Sequence, residues 1–190
     1  MSILLNIQQD EDVINFLSEY AQNPRGFVLL SGKNGTGKSY AAMQVYNCIS
    51  PFKLPDYDNE IAIFLNQADL NMKWSLEISK WSQTISLLTE LKNTRLLVID
   101  DLGTRTPTDA FMDFLYALVD ARYEERRKKG TIITTNLTGK DMREKFGDAF
   151  VSRAASGQCF RLEGEDRRFN GRKTAQDALE SQNKVIGISR

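Results

Sequence analysis

Short, continuous apolar runs alternate along the chain with longer stretches of helical period, and the two patterns predict different elements. Gly26 to Leu30 (GFVLL), Ile61 to Leu65 (IAIFL), Arg95 to Ile99 (RLLVI) and Thr131 to Thr135 (TIITT) have strand length, and Gln158 to Leu162 offers a fifth run. Unbroken apolar runs suit parallel strands covered on both faces, where no side chain meets water. Between them lie predicted helices. Asp10 to Tyr20 puts Val13, Ile14, Phe16 and Leu17 on one side before Asn23-Pro24 breaks the pattern, and Lys38 to Ile49 follows the first strand. Ala68 to Leu91 reads as helical in one or two pieces. From Pro107 to Lys129 the residues Phe111, Phe114, Leu115, Leu118, Val119 and Tyr123 recur at helical spacing, with Gly130 just beyond. Pro51 to Asn59, with two prolines, reads as a loop. Strands alternating with helices in this way predict an α/β fold: a parallel five-stranded sheet with helices on both faces.

Ligands of such sheets sit at the carboxyl ends of the strands. Three features fall at such ends. Gly32-Lys33-Asn34-Gly35-Thr36-Gly37-Lys38-Ser39 follows the first strand and opens a helix, fitting G-x-x-x-x-G-K-[ST]. Its glycines allow a tight turn that aims backbone N–H groups inward, and the helix start adds positive potential for phosphate. Lys38 is placed to neutralise the β- and γ-phosphates of ATP and Ser39 to ligate Mg2+; Tyr40 follows directly. The third strand ends in Asp100-Asp101, the Walker B pattern, in which Asp100 holds Mg2+ and Asp101 orients or deprotonates the attacking water. Asn136 ends the fourth strand, where its amide either contacts the γ-phosphate or attacking water or simply closes a turn.

Composition narrows the remainder. The chain has 190 residues, enough for one ordinary domain, and its 25 basic and 25 acidic side chains cancel, so any nucleic-acid contact must come from a local patch. Arg126 to Lys129 form one charge run, read as a solvated helix end that suits the helix dipole. Cys48 and Cys159 lack metal-ligand spacing, histidine is absent, and both cysteines are expected in the core. The start, MSILLNIQQDEDV, has neither a signal-peptide nor a membrane-span pattern, so a cytoplasmic protein without membrane attachment is expected. The expected organisation is a short helical segment over 1–25, a core over 26–164 and a polar tail over 165–190.

Together SGKNGTGKSYAA, LLVIDDLG, the RYEE of Arg122 to Glu125, GTIITTNLT and FVSRAASGQCFRLEGEDRR resemble the AAA+ family of P-loop NTPases. Within it the chain is similar to the DnaC/DnaI-type helicase loaders and the IstB-type transposition helpers, over about Gly26 to Arg168. The resemblance implies ATP and Mg2+ as ligands and gives Asn136 the sensor-1 position. It gives Arg153 the role of an arginine finger reaching the ATP of a neighbouring copy in a homo-oligomer, with a solvated helix arginine as the alternative. Arg168, or less closely Arg167, matches the sensor-2 arginine. No separate lid domain is expected, because little chain follows Arg168, and the adenine contacts stay unassigned. Asn34 replaces the Pro common in the loop.

The likeness also implies single-stranded DNA binding through a helical insert after the second strand. That segment holds Lys73-Trp74 and Lys80-Trp81, two pairs seven residues apart. Their indoles either stack on bases beside phosphate-holding lysines or belong to the core. The function implied is an ATPase that loads or remodels a replicative helicase on single-stranded DNA, in a form small enough for a phage or mobile element. Only about 25 residues precede the first strand, which leaves the grip on a helicase unexplained. The alternatives are an IstB-like helper assembling on duplex DNA and a nucleotide-gated adaptor or inhibitor. A small-molecule kinase shares the loop but has no use for Asn136 or the later arginines.

Overall fold

The computed structural model describes residues 11–50, 61–78 and 81–164. The loop expected at Pro51 to Asn59 and the tail beyond 164 lie outside these residues, as do Lys80, Arg167, Arg168 and the side chain of Trp81. The elements run α1 (Glu11–Gln22), β1 (Gly26–Ser31), α2 (Lys38–Ile49), β2 (Ala62–Asn66), α3 (Gln67–Ile78), α4 (Trp81–Asn93), β3 (Leu96–Leu102), α5 (Asp109–Glu124), β4 (Gly130–Thr135), α6 (Gly139–Ala154) and β5 (Gln158–Arg161). All strand pairs are parallel, in the order β2-β3-β4-β1-β5.

The apolar runs form strands because both sides of the sheet are covered. Val28 and Leu30 of β1, Leu96 and Val98 of β3 and Ile132 of β4 face α1 and α2, joining Leu17, Ala41, Ala42 and Val45 in one core. Their neighbours Phe27, Leu29, Leu97, Ile99 and Ile133 face the opposite layer, with Leu70, Leu91, Phe111, Leu115, Phe146 and Phe150. Alternate residues of one strand thus enter different cores, as the two-residue side-chain period requires.

β5 behaves differently. It pairs with β1 alone, and Gln158, Cys159 and Arg161 are exposed. An edge strand this short covers little, so Cys159 is exposed rather than in the core, and Cys48 is half-buried beside the α1/α2 core. Helix α6, over Gly139–Ala154, is opened by a capping box in which Thr138 and Asp141 bond reciprocally. The Thr138 hydroxyl also donates to the Asp141 carboxylate, and that bond, with the one from the Thr138 N–H, holds the Asp141 carboxyl below the usual carboxylate range.

Arg122, which the sequence offered only as part of a motif, is a structural clamp. It is 1% exposed, and its guanidinium donates to the carbonyls of Leu91, Lys92, Thr94 and Gly130 and to Thr131 Oγ1. Leu91 and Lys92 belong to the last turn of α4, so the cation satisfies carbonyls that a helix end leaves unpaired and meets the negative end of its dipole. Burial pulls the group down to about 10, opposed by Tyr20 and Glu125, which still leaves it charged at neutral pH. The charge run Arg126 to Lys129 also has structural work: Arg126 stacks 3.9 Å over the Tyr123 ring and donates to its carbonyl, and the Arg126 and Lys129 carbonyls accept from the Gly26 N–H. Among the described residues no helix is long and apolar enough to cross a membrane.

Candidate active site

The parallel register brings the ends of the strands level. Ser31 pairs with Thr135, and Asn66 with Asp100, so the phosphate-type loop after β1, the carboxylates of β3 and Asn136 after β4 open on one edge. β4 lies between β1 and β3, which sets Asp100 two strands from the loop, roughly 10 Å at ordinary strand spacing. Asn136 projects from the strand between them and is exposed.

The loop geometry follows from its glycines. Gly32 has φ +146°, and a Cβ there would stand 2.2 Å from the Leu162 carbonyl oxygen, so the loop can pass the end of β5 only without a side chain. Gly37, at φ 94°, is the N-cap of α2 and supplies no side-chain cap. The N-caps Thr108 of α5 and Thr138 of α6 do supply one. Gly37 thus starts α2 without a side-chain cap, and a helix N-terminus of this kind suits an anion. Thr36 Oγ1 and Lys38 Nζ both donate to the Lys33 carbonyl, at 2.9 and 2.6 Å, and Lys38 is 4% exposed. The amine is thus folded over the loop it is expected to serve. Lys33 and Asn34 are exposed, Gly35 and Ser39 half-buried, and Tyr40 is 48% exposed beside them.

At the end of β3 the register slips. Ile99 pairs with Ile133 and Leu102 with Thr135, three steps on β3 against two on β4, so one extra residue is inserted at the double Asp. Asp101 takes it up with φ +53°, a left-handed conformation that Asp tolerates better than most residues. The insertion returns Leu102 to the same core as Ile99 and leaves Asp100 buried and Asp101 half-buried at the rim. Thr134 fixes this geometry. Its hydroxyl, fully buried, donates to Asp100 Oδ1 at 2.6 Å and accepts from the Asp101 N–H at 2.9 Å. The loop beyond is tied down as well, since Gln67 accepts from the Gly103 N–H and donates to the Arg105 carbonyl, while Lys145 donates to the Gly103 carbonyl. No sequence motif had singled out Thr134; the available signal was a hydroxyl two residues before Asn136, in register beside Asp100.

Among the described residues no cluster of three or more Asp, Glu, His or Cys side chains forms a cage for a cation. Mg2+ keeps waters and takes phosphate oxygens alongside few protein ligands, and one carboxylate and one hydroxyl such as Asp100 and Ser39 would fit it. On the other side of the loop, a cavity of about 250 Å3 is lined by Lys33, Thr36, Arg161, Leu162, Glu163 and Gly164. Sequence reading had placed Lys33 and Thr36 in the phosphate loop but had given Arg161 to Gly164 no contact with a ligand.

Other expected residues are placed differently. Trp74 is 8% exposed, packed against Phe111 and Phe114 at ring-centroid distances of 5.4 and 6.2 Å. Its indole belongs to the core and is not available for base stacking, because the face of α3 that carries Leu70 and Trp74 is the one covering the sheet. Lys73, next to it, is exposed. Arg153 lies on α6, away from the chain's own loop motif in sequence, with Nε 2.5 Å from Asp120 Oδ1 of α5. The two side chains are 35% and 54% exposed, and pairs this open contribute only about 0.2–1 kcal/mol to stability.

The model of the family described as IstB-like ATP binding protein matches residues 12–158. The chain is 27% identical over 149 residues to the replicative helicase loader DnaC of Buchnera aphidicola subsp. Acyrthosiphon pisum, covering 77% of this chain and 57% of that protein. It is likewise 27% identical over 144 residues to the replicative helicase loader DnaC of Escherichia coli K12, covering 75% and 55%. The chain thus spans little more than half the length of these relatives. Among solved structures, the DnaC helicase loader superposes with a TM-score of 0.67 at 20% identity, over 85% of this chain and 97% of that one. AMPPCP-bound DnaA from Aquifex aeolicus gives 0.70 at 15% identity, over 98% and 54%, a likeness of fold. With more than half of its length matched by the family model, and with the phosphate loop and the double Asp at one sheet edge, the chain belongs to the IstB-like ATP-binding protein family.

Proposed function

We propose that the chain is an ATPase that loads or remodels a replicative DNA helicase on single-stranded DNA. The observation that carries the reading is the meeting of Gly32 to Ser39, Asp100-Asp101 and Asn136 at one edge of the sheet, in a chain whose relatives are replicative helicase loaders. The ATP phosphates lie on the uncapped start of α2, with Lys38 turning from the Lys33 carbonyl to the β- and γ-phosphates. Ser39 and Asp100 would hold Mg2+, which when bound would neutralise charge on the phosphates. Asp101 takes the proton of the attacking water, and Asn136 orients that water. The nucleoside end occupies the cavity beside β5, between the loop and Arg161 to Gly164. Arg153 serves the site of a neighbouring copy, so turnover requires assembly; an arginine supplied in trans is worth roughly 10³–10⁵ in rate in related phosphoryl transfer. Lys73 is the one exposed member of the two Lys-Trp pairs that lies among the described residues, and it contacts DNA phosphate in this reading.

The test uses purified chain and the replicative helicase of its host. Co-elution in gel filtration and ATPase stimulated by single-stranded DNA are expected. Absence of helicase binding removes the loader reading, and ATP-dependent filaments on duplex DNA instead point to the transposition-helper role associated with the family's IstB-type members.

A further inference from the structure

Two side chains of α5 hold the part of α6 that carries Arg153. At Gly147 the backbone leaves helical geometry (φ 78°, ψ 159°), so residues 148–154 form a separate piece beyond a kink. The Tyr116 phenol donates to the Phe146 carbonyl at 2.5 Å, immediately before the kink, its ring meets Phe150 beyond the kink edge-on at 5.6 Å, and a Cβ on Gly147 would stand 2.7 Å from the hydroxyl. One helical turn further along α5, Asp120 Oδ1 accepts from Arg153 Nε at 2.5 Å, and Arg153 Nη1 donates to the Ala149 carbonyl at 3.2 Å.

We propose that Asp120 is a positioning residue for Arg153, orienting its guanidinium for delivery to the ATP of a neighbouring subunit, with Tyr116 fixing the segment that bears it. The proposal rests on the reading of Arg153 as a group supplied in trans. A guanidinium is planar and carries five N–H donors. The two contacts engage one donor on Nε and one on Nη1, which sets the plane and leaves three donors at the outer end of the fork for phosphate oxygens. A long arginine side chain loses much rotamer freedom when it docks, and one already held in its working rotamer has less to lose. Arg153 is 35% exposed, so it is held and still reachable from outside.

The experiment mixes two variants. Lys38→Ala removes a phosphate contact but keeps Arg153, whereas Arg153→Ala keeps the ATP site but lacks the arginine. Each alone should be nearly inactive, and an equimolar mixture should recover ATPase. Adding Asp120→Ala to the Lys38→Ala subunit should cut the recovered kcat by roughly tenfold to a hundredfold, the range for a misaligned reacting group, with the ATP KM unchanged. Asp120→Glu in that subunit should restore part of the loss. The same Asp120→Ala placed in the Arg153→Ala subunit should change nothing, because there it has no arginine to orient. Recovery that ignores Asp120→Ala, or falls equally from either subunit, overturns the positioning role alone. No recovery in the parent mixture overturns the trans reading of Arg153, and this proposal with it.

Discussion

Thr134 donates its buried hydroxyl to Asp100 Oδ1 at 2.6 Å, joining β4 to β3 at the point where the strand register slips. The same oxygen accepts from the Asp101 N–H, so a single side chain orders one carboxylate and the backbone that carries the next. In the proposed site the other oxygen of Asp100 would take the cation, while Asp101 stands in a left-handed turn.

Thr134→Val keeps the shape of the side chain and deletes both bonds. Partners that orient a metal-binding carboxylate typically account for about 10–100-fold in metal affinity or activity, so the Mg2+ concentration for half-maximal ATPase should rise by about that range. Thr134→Ser should recover most of it. A Mg2+ titration of both variants decides the point, since a wholly structural effect would lower the melting temperature without shifting the Mg2+ requirement.

Arg122→Met should destabilise the fold by about 3 kcal/mol or more, because it strands buried carbonyls of Leu91, Lys92, Thr94 and Gly130 together with Thr131. Arg122→Lys should recover little, as an ammonium cannot span a fork of acceptors. Urea unfolding followed by circular dichroism measures both. An Arg122→Met midpoint equal to wild type would remove the clamp.

Trp74→Phe should leave single-stranded DNA affinity unchanged, since its indole packs on Phe111 and Phe114. Trp74→Ala should cost about 3–5 kcal/mol through the cavity it opens. Fluorescence anisotropy with a labelled oligonucleotide, beside an unfolding curve, separates the two properties. A selective loss of DNA binding in Trp74→Phe would return this residue to the nucleic-acid surface.

Much of this architecture was legible in the apolar runs. Parallel strands buried on both faces leave little choice of residue, so GFVLL and TIITT mark β1 and β4 nearly to their ends, while RLLVI marks β3 only as far as Ile99, three residues short of Leu102. The Gly32 to Ser39 spacing was equally plain, because a backbone that must curl around phosphate restricts which residues fit. The less visible features depend on contacts distant in sequence. Nothing in LLVIDDL marks an inserted residue, for the bulge exists only relative to β4. Thr134 reads as one more β-branched strand residue, and Arg122 as one more basic residue near a helix end. Trp74 and Trp81 share a Lys-Trp pattern, yet only the packing of α3 on Phe111 and Phe114 assigns Trp74 to the core. Cys159 was misassigned by its residue type, since burial there follows from the position of β5 at the sheet edge.

The central claim is that the edge formed by β1, β3 and β4 is one ATP-hydrolysing site in which Asp101 is the base. Asp101→Asn tests it most directly, because Asn also tolerates the left-handed turn and the fold should be preserved. ATP affinity by titration calorimetry and steady-state turnover are measured on the same preparation. The account predicts an ATP Kd within about twofold of wild type and a kcat lowered by roughly 10²–10⁴, the usual contribution of a positioned general base. Turnover equal to wild type in Asp101→Asn would contradict it.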